Sequence, residues 1–232
     1  MTYAAEYGNI FTENQETGAS LCESERKNTA AAGDLLCTDK TVTLADPIAP
    51  FGIARSALHL EIGCGKGKFS VGMAALHPDI NFYAVERVSD VVVAAVERAM
   101  AEEVRPENLR FIVGDAKTLT EWFPPHTFDC IYLNFSDPWP KAGHYKRRLT
   151  YRAFLELYKS LLKEGGVLRL KTDNAGLFDF SLGEFEAAGM DVVKCSRDLH
   201  ASPFAEGNVM TEYETNFTAK GMPIYFAEVR VK

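Results

Sequence analysis

The sequence predicts an α/β protein built on a doubly wound, mostly parallel sheet that ends in an antiparallel strand, and three observations predict it. From residue 57 onward, short apolar runs alternate with stretches of helical periodicity, the mark of successive βα units. A glycine cluster, Gly63-Cys64-Gly65-Lys66-Gly67, follows the first apolar run, where a doubly wound fold turns from its first strand into its first helix. The last run, Ile224 to Val231, instead alternates Tyr225, Ala227, Val229 and Val231 with Glu228 and Arg230, as a half-solvated antiparallel strand does.

Residues 1–56 carry Gly, Thr, Ala, Asn and acids with little periodicity and close on Pro47 to Pro50, so they read as a poorly specified leader before a domain over 57–232. Its sparse apolar residues predict that the chain up to about Asp46 is dispensable for folding. Strands are expected at Leu58–Ile62, Asn81–Val85, Arg110–Val113, Cys130–Asn134 and Val167–Leu170, and helices at Ser89–Glu103 and Thr150–Lys163. In the latter, Phe154, Leu155, Tyr158, Leu161 and Leu162 form one stripe, with Gly165-Gly166 as the expected stop. An amphipathic helix carrying Leu177, Phe178, Phe180, Leu182 and Phe185 follows Thr172-Asp173-Asn174, where Thr172 or Asp173 reads first as an N-cap.

A composition of 47% hydrophobic, 25% charged and 11% aromatic residues excludes a disordered or fibrous chain. No apolar run reaches the roughly 20 residues that span a bilayer, and Met1 to Ile10 lacks the basic and apolar pattern of a secretory signal. A cytoplasmic location is expected. Cys22, Cys37, Cys64, Cys130 and Cys195 form no CxxC pair and have no histidine at ligand spacing, so free thiols and no metal are expected. A net charge of −7 argues against nucleic acid as a partner, but distribution outweighs the sum. The segment 141–152 holds Lys141, Lys146, Arg147, Arg148 and Arg152 without an acid, whereas acids outnumber bases in the leader. A local anion-binding patch therefore survives the acidic total.

The glycine cluster departs from a dinucleotide loop: its third glycine comes one residue early, and Glu61 precedes the first. Gly63, Gly65 and Gly67 with that acid suit a cationic ligand without phosphate, which describes S-adenosylmethionine; a tight structural turn is the competing reading. Glu86 closes the second strand about 20 residues on, where a carboxylate accepts ribose hydroxyls, and Asp115 ends the third, within reach of an adenine amino group. Singly, each acid reads more simply as a cap. Acids ending three successive strands point instead to one crevice at the carboxyl edge of the sheet. The fourth strand runs into Asn134-Phe135-Ser136-Asp137-Pro138-Trp139-Pro140-Lys141, where Trp139 offers a face for a base and the Asp137 carboxylate can accept from guanine's ring N–H and 2-amino group. The competing reading is a rigid loop that packs its Trp into the core. His59 reads as a core residue, and His144 as a phosphate contact.

At these residues the chain resembles the bacterial tRNA (guanine-N(7)-)-methyltransferases. The resemblance rests on EIGCGKGKF (Glu61 to Phe69), YLNFSDPWPK (Tyr132 to Lys141), KRRLTY (Lys146 to Tyr151), KTDN (Lys171 to Asn174) and TEYE (Thr211 to Glu214). It covers about residues 57–232 and leaves the acidic leader outside. It implies a class I, Rossmann-like methyltransferase fold, S-adenosylmethionine as cofactor, and tRNA as partner, with methylation at nitrogen 7 of a variable-loop guanosine, nucleotide 46 by convention. It implies cofactor roles for Glu61, Glu86, Asp115 and Asp137 and substrate contacts for Lys141, Asp173, Thr211, Glu212, Tyr213 and Glu214. RNA contacts follow for Gly143, His144, Tyr145, Lys146, Arg147 and Arg148. Without the resemblance, Thr211 to Glu214 reads as a solvated polar loop. Nitrogen 7 bears a lone pair and no proton, so no catalytic His or Cys is needed, and Asp137 is the expected catalytic group. The alternatives are an exocyclic-amine methyltransferase, whose D/N-P-P-Y/W motif resembles Asp137-Pro138-Trp139, a noncatalytic RNA- or cofactor-binding module, and an NAD-dependent oxidoreductase, which the glycine spacing disfavours.

Overall fold

A computed structural model describes residues 33–231. Seven strands form one sheet: β1 (Ala57–Ile62), β2 (Ile80–Glu86), β3 (Leu109–Val113), β4 (Phe128–Asn134), β5 (Leu162–Thr172), β6 (Asp191–Ser196) and β7 (Tyr225–Arg230), in the order β3-β2-β1-β4-β5-β7-β6. The first five are parallel, and β7 runs antiparallel between β5 and β6. The doubly wound fold with its antiparallel C-terminal strand is thus present.

Successive strand residues point to opposite faces, and both faces are covered, which is why these strands read as continuous apolar runs. On one face Leu58, Leu60, Ile62, Ile131 and Leu133 pack against α4 (Arg152–Leu161) and α5 (Ala175–Ala187). On the other, Phe82, Ala84, Phe111 and Tyr132 pack against α2 (Lys68–Leu76) and α3 (Ser89–Met100). The expected helices after β2 and before β5 are therefore present, the first three residues shorter at its C-terminal end and the second two residues shorter at each end.

Local details differ from the sequence reading. Gly165 and Gly166 do not end a helix: α4 stops at Leu161, and the glycines lie within β5, where Gly165 adopts φ +71° and the register with β4 shifts. The N-cap of α5 is Asn174, whose side chain accepts from Leu177 N at 2.8 Å, and Asp173 plays no part in it. Strand β7 is not half-solvated, because β6, which the sequence did not announce, covers its outer edge. Glu228 consequently lies buried, compensated by Arg169 at 2.6 Å and Lys194 at 3.0 Å.

Residues 33–56, read as leader, lie against the sheet's β3 edge. Leu36 bridges Phe111 in parallel and Cys37 N donates to Phe111 O at 2.8 Å, so the open hydrogen-bonding edge of β3 is partly closed. After α1 (Lys40–Ala45), Tyr83 Oη donates to Pro47 O and Arg110 Nε to Pro50 O. Leu35 is fully buried on one face of the sheet and Phe51 on the other. Residues 1–32 lie outside the described residues; for residues 33–46 these contacts argue against the dispensable leader that the sequence predicts. Deleting the chain through Asp46 should lower the melting temperature, and Leu35→Ala alone should cost about 2 to 5 kcal/mol in urea unfolding. An unchanged urea midpoint would mean that the segment merely rests on the domain.

Candidate functional site

Strand order reverses between β1 and β4, so the chain leaves their carboxyl ends toward opposite faces and opens a crevice between them. A cavity of about 520 Å³ lies there, within the range that small-molecule sites occupy. Gly63, Glu86, Gly114, Asp115, Asn134, Asp137, Trp139, Lys146 and Arg147 are among its lining residues. The acids expected at the ends of β2 and β3, the Asp137 loop and part of the basic segment thus meet at one place.

The turn after β1 shows why glycine is needed. Gly63 has φ +78° and its N–H donates to Val85 O at 2.8 Å, which seats the loop on β2. A Cβ there would face open space, so the backbone is bare toward the cavity. At Gly67, φ +77°, a Cβ would stand 2.9 Å from that of Ala95, so this third glycine serves the close approach of α2 to α3. It does not line the cavity, and neither does Gly65, whose N–H donates to Glu86 Oε2 at 3.3 Å. The other Glu86 oxygen accepts from Arg87 N at 2.8 Å and Val88 N at 3.1 Å. Asp115 accepts from Lys117 N at 2.9 Å, so it is both a cap and a cavity residue.

Glu61 is placed differently. It is buried beneath the cavity and does not line it; Oε1 accepts from Asn134 Nδ2 at 2.9 Å and Oε2 from Ser70 Oγ. Its carboxyl thus ties the end of β1 to the end of β4 and to the first turns of α2. Burial pushes its pKa up to about 7, against the lowering effects of the Ser70 and Asn134 hydrogen bonds and of Lys171. Asn134 and Ser70 were not foreseen. The only trace of Asn134 in the sequence is an amide that ends an otherwise apolar strand.

The loop after β4 is held in an unusual shape. Phe135, at φ +54°, donates its N–H to Lys171 O, and Trp139 lies at φ +41°. Trp139 is in neither main core cluster; it lines the cavity with the Arg147 guanidinium 4.9 Å from its ring centroid, so the core reading of this Trp is not met. Asp137 is exposed at the cavity wall. Of the basic segment, Lys146 and Arg147 reach the cavity, whereas Gly143, His144 and Tyr145 do not. His144 packs edge-on against Trp139. Arg148 turns inward to the backbone of Pro138 and Trp139.

Among the remaining expected substrate residues, Lys141 is exposed and Asp173 partly so, both outside the cavity lining. Thr211 to Glu214 is not a solvated loop. It begins α6 (Glu212–Thr218) with a capping box in which Thr211 Oγ1 accepts from Glu214 N and Glu214 accepts from Thr211 N. Glu214 is fully buried and pairs with Lys171 at 2.7 Å, and Glu212 pairs with Arg98. Tyr213 is exposed and its ring lies parallel to that of Phe135, 6.3 Å between centroids. This paired helix could not be foreseen, because the partner of Glu214 lies 43 residues away. His59, expected in the core, is only half-buried and belongs to no core cluster; desolvation lowers its pKa to about 4, and its ring meets the Tyr132 hydroxyl at 3.1 Å.

A second cavity, about 400 Å³, lies beyond Asn134 between α2 and residues 199–209. Its main charges are already paired, Arg169 and Lys194 with Glu228 and Lys171 with Glu214. Among the described residues, no group of three or more His, Cys, Asp or Glu could hold a metal ion, and no helix is long and apolar enough to cross a membrane.

A family model described as "Putative methyltransferase" matches residues 55–227. The tRNA (guanine-N(7)-)-methyltransferase of Brevibacillus brevis is 50% identical over 171 residues, 74% of this chain and 79% of that relative. The enzyme of the same name from Streptococcus suis is 42% identical over 211 residues, 88% of this chain and 98% of its own. Among solved structures, the 16S rRNA methyltransferase KamB superposes with a TM-score of 0.61 at 12% identity, covering 82% of this chain and 94% of that one, a likeness of fold alone.

The buried Glu61 yields a pH prediction. A carboxyl whose folded pKa is raised stabilises the fold fully below its ordinary value of 4.5, and that contribution is lost as pH rises through about 7. Glu61→Gln keeps the shape and both hydrogen-bond partners without the ionisation. Its melting temperature should therefore fall less than the parent's between pH 5 and pH 8; parallel curves would show that Glu61 does not titrate in this window.

Proposed function

The chain belongs to the tRNA (guanine-N(7)-)-methyltransferase family, and from that membership and the geometry of the cavity we propose that it transfers the methyl group of S-adenosylmethionine to nitrogen 7 of a guanosine in tRNA, in the variable loop at nucleotide 46 by convention. The observation that carries this reading is the convergence of Glu86, Asp115 and Asp137 with Lys146 and Arg147 on one cavity at the strand reversal. A cationic nucleoside suits the acidic wall, and a phosphate backbone suits the basic rim. A cytoplasmic location accords with this substrate.

The cofactor, when bound, supplies an activated methyl group on a sulfonium. Glu86, at the end of β2, would hold ribose hydroxyls, Asp115 the adenine edge, and the bare backbone at Gly63 would let the ligand close in. Since guanine nitrogen 7 has no proton to lose, the protein needs no general base. Its residues instead align the base and favour the positive charge that develops on it. Asp137 accepts from the ring N–H and 2-amino group of the target guanine, while its charge stabilises a cationic purine. Lys146 and the exposed basic residues around it hold phosphate, offsetting the few kcal/mol, roughly, of unstacking a base from folded RNA.

Incubation with unmodified tRNA and labelled cofactor, followed by nucleoside analysis, should yield 7-methylguanosine. An N2-methylated product would transfer the assignment to exocyclic-amine chemistry, and no labelled product would leave a binding module. Glu86→Ala should weaken cofactor binding, by at most about 1.5 to 3 kcal/mol for each charged hydrogen bond lost; calorimetry returning the parental Kd would move the ribose site elsewhere. Asp137→Ala should lower the single-turnover rate roughly a hundredfold or more, and Asp137→Asn, which keeps one acceptor, should lower it less. Both should bind tRNA nearly as the parent does, because phosphate contacts dominate affinity. A parental rate in folded, saturated Asp137→Ala would remove Asp137 from the mechanism.

A further inference from the structure

Three consecutive cations of the basic segment, Lys146, Arg147 and Arg148, do not share a direction. Lys146 and Arg147 are exposed and line the cavity; Arg148 is half-buried and does not. Its Nε donates to Pro138 O at 2.8 Å and its Nη2 to Trp139 O at 3.3 Å, while the guanidinium carbon lies 4.3 Å from the Phe180 ring centroid on α5. One planar fork thus grips two successive carbonyls and rests on an aromatic face, a combination that a lysine cannot reproduce. What it grips is strained: Trp139, the second of the two residues, has φ +41°, a left-handed conformation that a bulky side chain rarely adopts. Such a backbone persists only where its surroundings impose it. In the same loop, Asp137 and Trp139 face the cavity.

We infer that Arg148 is a positioning residue for methyl transfer and not a phosphate contact: it holds the Pro138–Trp139 backbone in its left-handed turn so that Asp137 and Trp139 present a fixed surface to the target base. This removes Arg148 from the RNA contacts that the resemblance implied, and it rests on the reading that the Asp137 loop receives the base. The run 146–148 therefore divides its labour along the chain. Its first two cations face outward, where polyanions arrive, and the third spends its donors on the protein's own carbonyls. A base pocket that relied on a loosely held loop would lose alignment, and loss of alignment reduces rate at saturation more than affinity.

The test uses the full-length chain and three readouts: the salt dependence of tRNA binding, the single-turnover rate with tRNA and cofactor saturating, and tryptophan emission. The protein has two tryptophans, so Trp122→Phe leaves Trp139 as the sole reporter. Arg148→Ala should lower the saturated rate by about tenfold or more and shift Trp139 emission. Its log–log salt slope should equal the parent's. Arg148→Lys, which keeps the charge but not the fork, should recover only part of the rate. A slope reduced by about 0.7 to 0.9, as loss of one phosphate contact gives, together with a parental saturated rate, would overturn the inference. If Arg148→Ala does not fold, Phe180→Leu and Arg148→Lys decide: partial rate loss at unaltered slope supports the clamp, and parental rates in both overturn it. Failure of the underlying reading is separable, since Asp137→Ala would then keep its rate whatever Arg148→Ala does to Trp139 emission.

Discussion

The hydrogen bond from the Asn134 amide to the buried Glu61 carboxyl spans the one place where the sheet's strand order reverses. Every parallel sheet of this kind has such a gap, because consecutive connections leave its two flanking strands in opposite directions. A gap is useful only if its walls keep their separation. Here one carboxyl group takes a donor from β4 and another from Ser70 on α2, so strand, neighbouring strand and helix share a fixed point at the reversal. The cost is a buried acid whose proton is held up to about pH 7. Glu61, for which the resemblance implied a cofactor contact, lies outside the cavity lining and braces the strands that flank it.

The cavity at this reversal brings charges of both signs together. Glu86 and Asp115 stand at the strand ends beside the cations Arg87 and Lys117, and Lys146 and Arg147 reach the same cavity from the connection after β4. An acidic protein can thus present a cation site and an anion site within a single cavity, because at physiological ionic strength fields decay over about 8 Å. The net charge of −7 consequently says little about what reaches the crevice. The C-terminal residues add a separate constraint. The buried Lys171–Glu214 pair joins β5 to α6, so the exposed Tyr213 is carried on a helix whose root is fixed. Removing either partner would strand a buried charge.

Much of the fold was legible because parallel strands covered on both faces must be apolar throughout, and the runs around Leu60, Val85 and Ile131 could be little else. The strand ends were legible for the site too, since an acid that closes a buried strand has few places to go but the carboxyl edge. What was not legible depends on partners remote in sequence. Glu214 reads as solvated until Lys171 is seen beside it. Glu228 reads as an outward residue until β6 covers the edge of β7, and β6 itself, with Val192 and Val193 exposed, has no clear alternation. Residues 33–56 hid their role because a few anchors, Leu35 and Phe51 among them, suffice to hold a segment along an edge strand without producing any periodicity.

The loop from Asn134 to Lys141 violates local preference more openly than any other described segment near the cavity, with Phe135 and Trp139 both left-handed. Each such residue costs on the order of 1 to 3 kcal/mol, a large share of the net stability of a domain of this size. Natural chains tolerate such conflicts where geometry matters more than stability. The support for this loop comes from outside it: Lys171 O accepts from Phe135 N, and the Arg148 fork accounts for the carbonyls of Pro138 and Trp139. Two of the chain's cationic residues are thus committed to holding a shape, one through its backbone and one through its side chain. The prolines on either side of Trp139 reduce the conformations open to the unfolded loop and so lower the entropy lost on folding. Rigidity at this loop is therefore assembled from three sources, each visible in sequence only as a residue type and joined only by the fold.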